Sequence, residues 1–211
     1  ILLKPDHSNS YFELGYAYKN KNQLAEAEKQ FKKTLQYNSS HSRACMELGK
    51  VFDLQLRKEE ALAAYKKWQE LDPGNADASY SVGYQYNSLG KTDLALEWLQ
   101  KAAAIKPAAL TYLEIGYSFY KQKKNEEAIT AYKNALSMDP GNGTAFKGIG
   151  DVYRINYKPA KIAEALENYE KSISLNPKLA GAYFGIGWCY NEDKNYAKAI
   201  TALQKSLELN A

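Results

Sequence analysis

Apolar positions along this chain recur on two scales. Within short stretches they fall three and four residues apart, the spacing of one face of an α-helix. Over longer stretches the whole pattern returns. An aliphatic residue followed by glycine stands at Leu14-Gly15, Leu48-Gly49, Val82-Gly83, Ile115-Gly116, Ile149-Gly150 and Ile186-Gly187, at spacings of 34, 34, 33, 34 and 37 residues. Three residues after each glycine comes an aromatic: Tyr18, Phe52, Tyr86, Phe119, Tyr153 and Tyr190. An alanine follows in every copy (Ala27, Ala61, Ala95, Ala128, Ala165, Ala199), and four residues beyond it a large apolar residue (Phe31, Tyr65, Leu99, Tyr132, Tyr169, Leu203). Most copies close on proline, at Pro73, Pro107, Pro140 and Pro177.

Each copy reads as two helices. The first copy predicts one helix over Ser8–Asn20, apolar at Tyr11, Leu14, Gly15 and Tyr18, and a second over Gln23–Tyr37, apolar at Leu24, Ala27, Phe31 and Leu35. Glycine costs roughly 1 kcal/mol relative to alanine inside a helix. Its return in six copies marks a place where two backbones cross too closely for a larger side chain. Asp-Pro-Gly-Asn at 72–75 and 139–142 stops one helix and turns into the next. The repeats then run 8–41, 42–75, 76–108, 109–142, 143–179 and 180–211. Residues 1–7 read as the tail of a preceding copy, because Pro5 sits where the closing prolines sit; with no initial Met, the chain reads as part of a longer one. The fifth copy carries three extra residues around Asn156–Lys161, expected to protrude as a loop on one edge, and the sixth reads as uncapped.

Composition narrows the chemistry. Net charge is +4, from 28 basic and 24 acidic residues, too balanced for the clustered basic face of a nucleic-acid binder. No apolar run approaches the ~18 residues of a membrane span. The two cysteines, Cys45 and Cys189, have no metal-ligand spacing, and His7 and His41 fall in turns. No catalytic constellation assembles from this inventory, so neither catalysis nor a bound metal or cofactor is expected. One oddity needs an account: 18 of 211 residues are tyrosine.

Six copies of Leu-Gly-x2-Tyr, then Ala-x3-Phe/Tyr, then Pro, at a period of 34, resemble the tetratricopeptide repeat. The resemblance covers Ser8 to Ala211 and implies an all-α, right-handed superhelical solenoid of antiparallel helix pairs, with first helices lining a concave groove. Residues three before and one after each glycine form an i, i+4 pair and share a face. Four copies make that pair apolar or aromatic: Phe12 with Tyr16, Tyr80 with Tyr84, Leu113 with Tyr117, and Phe184 with Trp188. Tyr120 extends the set, and Met46, Asn87, Arg43, Lys50, Lys147 and Arg154 complete the candidate groove. Acidic residues interleave on the same face: Glu13, Glu47, Asp53, Asp77, Glu114 and Asp151. The tyrosines thus divide between core columns and groove.

A groove of this kind suits capture of a peptide or helix from a partner protein, since aromatics give large contact area at low entropy cost. Two mechanisms known from relatives do not transfer. A carboxylate clamp for chaperone tails needs Lys and Asn at the paired positions, and no copy has both; an asparagine ladder two residues before the glycine is replaced by Glu13, Glu47, Ser81, Glu114, Gly148 and Gly185. Two other readings remain at this stage: self-association through exposed repeat ends, and an accessory arm of an enzyme whose catalytic domain lies outside these residues. Nucleic-acid binding and membrane insertion are not expected.

Overall fold

The computed structural model describes residues 7–210, which form twelve α-helices and one short π-helical segment, with no strand among the described residues. The reading of residues 1–7 as the tail of a preceding repeat rests on Pro5, which lies outside them. The chain divides into two compact units, one up to Lys106 and one from Pro107. The first holds α1 (His7–Asn20), α2 (Leu24–Tyr37), α3 (Ser42–Leu54), α4 (Lys58–Leu71), α5 (Ala76–Ser88) and α6 (Thr92–Ile105). The second holds α7 (Ala109–Lys121), α8 (Asn125–Met138), α9 (Gly143–Asp151), the π-helical segment Val152–Asn156, α10 (Ile162–Leu175), α11 (Ala180–Glu192) and α12 (Tyr196–Asn210). Odd helices pair with the even helix that follows, and within each unit every even helix also packs on the next odd one. The fold is that of tandem antiparallel helix pairs.

The glycines sit where the helices of a pair touch. A Cβ on Gly49 would meet Tyr65 Cε1 at 2.5 Å, one on Gly83 would meet Leu99 Cγ at 2.6 Å, and one on Gly116 would meet Tyr132 Cδ1 at 2.6 Å. Gly15 against Phe31, Gly150 against Tyr169 and Gly187 against Leu203 repeat the arrangement. In the second unit a further glycine closes in from the next pair. Tyr132 lies between Gly116 and Gly148, and Tyr169 between Gly150 and Gly185. The alanines Ala27, Ala61, Ala95, Ala128 and Ala165 are wholly buried beneath these crossings.

Turns between pairs are capped by side chains. Asn75 accepts from the backbone N–H groups of Asp77 and Ala78, and Asn142 from that of Ala145. Each asparagine also donates to the aspartate three residues before it, Asp72 at 2.8 Å and Asp139 at 3.1 Å. This satisfies otherwise orphaned helix-end donors. His41 caps α3 through Nδ1, 3.2 Å from the Ala44 nitrogen. Turns within pairs are tighter. They place Asn22, Leu56, Gly90, Lys123 and Lys194 in the left-handed region, and only one of these five is glycine.

Two expectations are corrected. Leu14 is 43% exposed rather than packed, while Leu48, Val82, Ile149 and Ile186 at the same place are buried. Ile115, also at that place, is buried as well. The extra length of the fifth copy does not simply protrude either. Five residues, Val152–Asn156, widen into a π-helical turn, as an insertion within a helix commonly does. Asn156 Nδ2 then donates to the Tyr120 carbonyl at 3.0 Å, and the Tyr157 hydroxyl donates to Glu126, which ties the segment back onto α7 and α8.

Gly148→Ala should lower stability by about 1–3 kcal/mol, since its Cβ would lie 2.6 Å from Tyr132 Cζ. Gly74→Ala, with nothing within 4 Å, should be neutral or slightly stabilising. Chemical denaturation of both variants checks the pair. Leu56→Gly should raise the denaturation midpoint by about 1 kcal/mol equivalent, because a left-handed non-glycine residue is relieved.

Candidate functional site

The first-helix face carries the candidate residues, and each unit presents its own set. In the first unit the rings divide sharply. Phe12 is buried: its ring stacks on His41 at 4.8 Å, meets Phe31 at 5.7 Å and lies beneath the Arg43 guanidinium at 4.9 Å. Asn87 is buried as well. Both are corrected from groove surface to interior; Phe12 is covered by Phe31 of α2 and by His41 and Arg43 at the start of α3. Met46 and Tyr80 are half-buried, and Arg43 and Lys50 are exposed. Tyr16 and Tyr84 remain 40% and 43% exposed. Tyr80 and Tyr84 stack with centroids 6.2 Å apart at 26°.

Charge is arranged around two buried or half-buried carboxylates. Glu47 lies between Lys19 of α1 and Lys50 of its own helix, the latter at 2.9 Å. Burial pushes its pKa up, but hydrogen bonds from the two lysines more than offset that and hold it below the usual carboxylate range. Asp53 is surrounded differently. Its Oδ2 accepts from the Tyr65 hydroxyl at 2.6 Å and its Oδ1 from Gln85 Nε2, and among the described residues no cation pairs with it. Burial raises its pKa, and the two neutral donors do not restore it.

In the second unit Asp151 is the centre. Its Oδ1 accepts from the Tyr169 hydroxyl at 2.7 Å, and its Oδ2 pairs with Lys147 at 2.6 Å. Arg154 Nε donates to the same Tyr169 oxygen at 2.8 Å, and its Nη2 approaches Asp151 at 3.5 Å. The π-helical turn brings Arg154 to this place, and its guanidinium lies 5.6 Å from the Phe184 ring and 5.4 Å from the Trp188 ring. Tyr117 and Phe184 remain 36% and 47% exposed, and Trp188, Tyr120 and Leu113 are half-buried. Tyr117 and Tyr120 tilt together at 6.4 Å.

Two small hollows mark these faces. One, about 210 Å³, is lined by Asp53, Tyr65, Tyr80, Ser81 and Tyr84. The other, about 220 Å³, is lined in part by Leu113, Tyr117, Tyr120, Tyr132 and Asp151. A larger depression of about 740 Å³ lies elsewhere in the second unit, between α10 and α12 over another side of α11. The sequence reading assigned Tyr65, Tyr132 and Tyr169 to the core alone. Their rings are core, but they also line the hollows or bond the face's carboxylates. Lys19 and Gln85 were missed for lack of any local pattern; their partners lie 28 and 32 residues away.

Cys45 and Cys189 are free and buried, and burial pushes both thiols up, that of Cys189 to about 11. Among the described residues no cluster of three or more His, Cys, Asp or Glu could hold a metal ion, and no helix is long and apolar enough to cross a membrane.

Four family models match successive stretches of the chain. Three, described as tetratricopeptide repeat, cover residues 12–76, 76–108 and 168–201; one, described as TPR repeat, covers residues 116–154. The chain is 28% identical over 137 residues to anaphase-promoting complex subunit 6 of Arabidopsis thaliana, across 64% of this chain and 25% of that protein. It spans about a quarter of the length of the curated relatives it matches. Among solved structures, the crystal structure of MamA protein superposes with a TM-score of 0.75 at 25% identity, over 84% of this chain and 96% of that one. The crystal structure of the APC/C hetero-tetramer Cut9-Hcn1 superposes with a TM-score of 0.79 at 23% identity, over 97% of this chain and 40% of that one.

Glu47→Gln should cost about 1–3 kcal/mol at neutral pH, since it strands two lysines around a buried neutral group. Because the folded-state pKa of Glu47 is depressed, its stabilisation is complete above the unfolded value, roughly 4.3, and is lost as pH falls through the folded one. Denaturation midpoints measured from pH 7 to pH 3 should therefore fall less steeply for the variant than for the parent.

Proposed function

The chain belongs to the tetratricopeptide repeat family, and from that premise we propose that it is a protein-interaction module whose first-helix faces receive a peptide or helix from a partner protein. The observation that carries this reading is the set of aromatic side chains the core does not use. Tyr16, Tyr84, Tyr117 and Phe184 each keep more than a third of their surface in water. An exposed aromatic on a rigid helix offers contact area with little entropy left to lose. Mixed charges beside these rings, at Arg43, Lys50, Lys147 and Asp151, supply orientation rather than bulk attraction.

The fold supports the same reading. The rings stand on helices whose backbones are locked against their partners at the glycine crossings, so a bound segment meets a preorganised surface. The relative in Arabidopsis carries the name of a subunit of a complex, which fits a chain that works by holding other proteins. The buried cysteines, with thiols pushed up by burial, offer no activated nucleophile.

Tyr84→Ala and Tyr117→Ala should each weaken binding of a partner peptide by about 5- to 30-fold while leaving the thermal midpoint nearly unchanged. Titrations followed by tryptophan fluorescence report on the second unit through Trp188, with Trp188→Phe as the spectral control. Unchanged affinity in both alanine variants would remove the first-helix face from the binding surface.

A further inference from the structure

The 210 Å³ hollow of the first unit is too small for a stretch of peptide. Ligand pockets for whole small molecules run to roughly 300–1,000 Å³. It is lined by the Tyr65 ring, the stacked Tyr80 and Tyr84, Ser81 and Asp53. We propose that this hollow seats one basic side chain of the partner, an arginine in preference to a lysine. The inference rests on the reading of the first-helix face as a binding surface and names what that surface selects.

Charge points to a cation. A partly buried carboxylate is costly unless a positive group answers it. Asp53 has only neutral donors, the Tyr65 hydroxyl and the Gln85 amide, and no cation pairs with it among the described residues. Lys50, one turn earlier on α3, is held by Glu47 at 2.9 Å, and Lys19 is held by the same carboxylate. These two lysines are therefore committed elsewhere.

Stereochemistry points to arginine. An ionised carboxylate accepts at about four positions, two on each oxygen. Tyr65 takes one on Oδ2 and Gln85 takes one on Oδ1. One position per oxygen remains, which is the arrangement a guanidinium fork meets with two parallel bonds. The faces of Tyr80 and Tyr84 add attraction for a planar cation within ~6 Å of the ring centres.

The second unit supplies an internal contrast. Its hollow has nearly the same size and also joins tyrosines to an aspartate, Asp151. There the cations are built in: Lys147 at 2.6 Å and Arg154 at 3.5 Å. Glu114 lines that hollow as well, but its aspartate, unlike Asp53, is already answered by cations of the chain itself, so the two hollows should differ in what they take.

The test needs no identified partner. Isotope-labelled protein is titrated with Nα-acetyl-arginine amide and followed by amide chemical shifts. Saturable shifts are expected at Asp53, Ser81, Tyr84 and Gln85 and not around Asp151. Nα-acetyl-citrulline amide, matched in size but uncharged, should bind about tenfold more weakly, with the lysine analogue between them. Asp53→Asn should erase the difference between arginine and citrulline. If that variant fails to fold, Tyr84→Leu at an exposed position should weaken the arginine probe several-fold. Equal binding of citrulline, or shifts scattered over acidic residues or centred on Asp151, would overturn the proposal. The two readings fail separately. A partner peptide that loses affinity on Tyr84→Ala but tolerates citrulline at every arginine leaves the binding face standing and removes the arginine seat. A saturating probe with Tyr84→Ala and Tyr117→Ala silent toward protein partners does the reverse.

Discussion

Everything in this fold depends on how closely two helices can approach at one point. Six glycines meet six large side chains there, and in each case a methyl group would overlap a ring or a branched carbon. The helix interior gives up roughly 1 kcal/mol of propensity at each glycine and recovers it through a crossing at which Phe31, Tyr65, Leu99, Tyr132, Tyr169 and Leu203 fill the space between the two helices of a pair. Because interiors behave as close-packed solids, that single distance fixes the placement of the first helix, and with it the direction in which every residue on its exposed side points. The exposed rings on α1, α5, α7 and α11 inherit their positions from it.

The periodic part of this was legible in the sequence. Glycine, aromatic, alanine and large apolar columns repeat often enough to give the helix pairs, their order and the family. Asp-Pro-Gly-Asn gave the turns because its side chains cap locally, within three residues. What escaped was whatever depends on neighbours a full repeat away. Phe12 and Tyr16 are one turn apart on α1, yet one is buried under Arg43 and His41 while the other faces water. Nothing within α1 distinguishes them; α3 does. Leu14 was misread as well, since no local signal separates it from the five residues buried at the same place in the other copies. The insertion in the fifth copy was visible as three extra residues, but a helical pattern contains no signal for a π-turn or for the return of Asn156 to the Tyr120 carbonyl.

Electrostatics separates the repeats that packing makes alike. Glu47 has two lysines, Asp53 has two neutral donors, and Asp151 has a lysine and an arginine. All three sit on one kind of helix face, within a few residues of the anchor glycine. Shape is therefore shared among the copies while the sign and strength of the local field are not.

The tyrosines of the second helices tie these two layers together. Tyr65 and Tyr169 pack their rings against glycine and extend their hydroxyls to Asp53 and Asp151. Leucine fills the same crossing at Leu99 and Leu203, and phenylalanine at Phe31. An exchange of tyrosine and phenylalanine there is close to silent for packing volume, but it adds or deletes a proton donor beside the proposed binding face. Drift in the interior can thus rewrite recognition without touching an exposed residue. Two descendants of one repeat array could part in specificity while their surfaces, compared residue by residue, look the same.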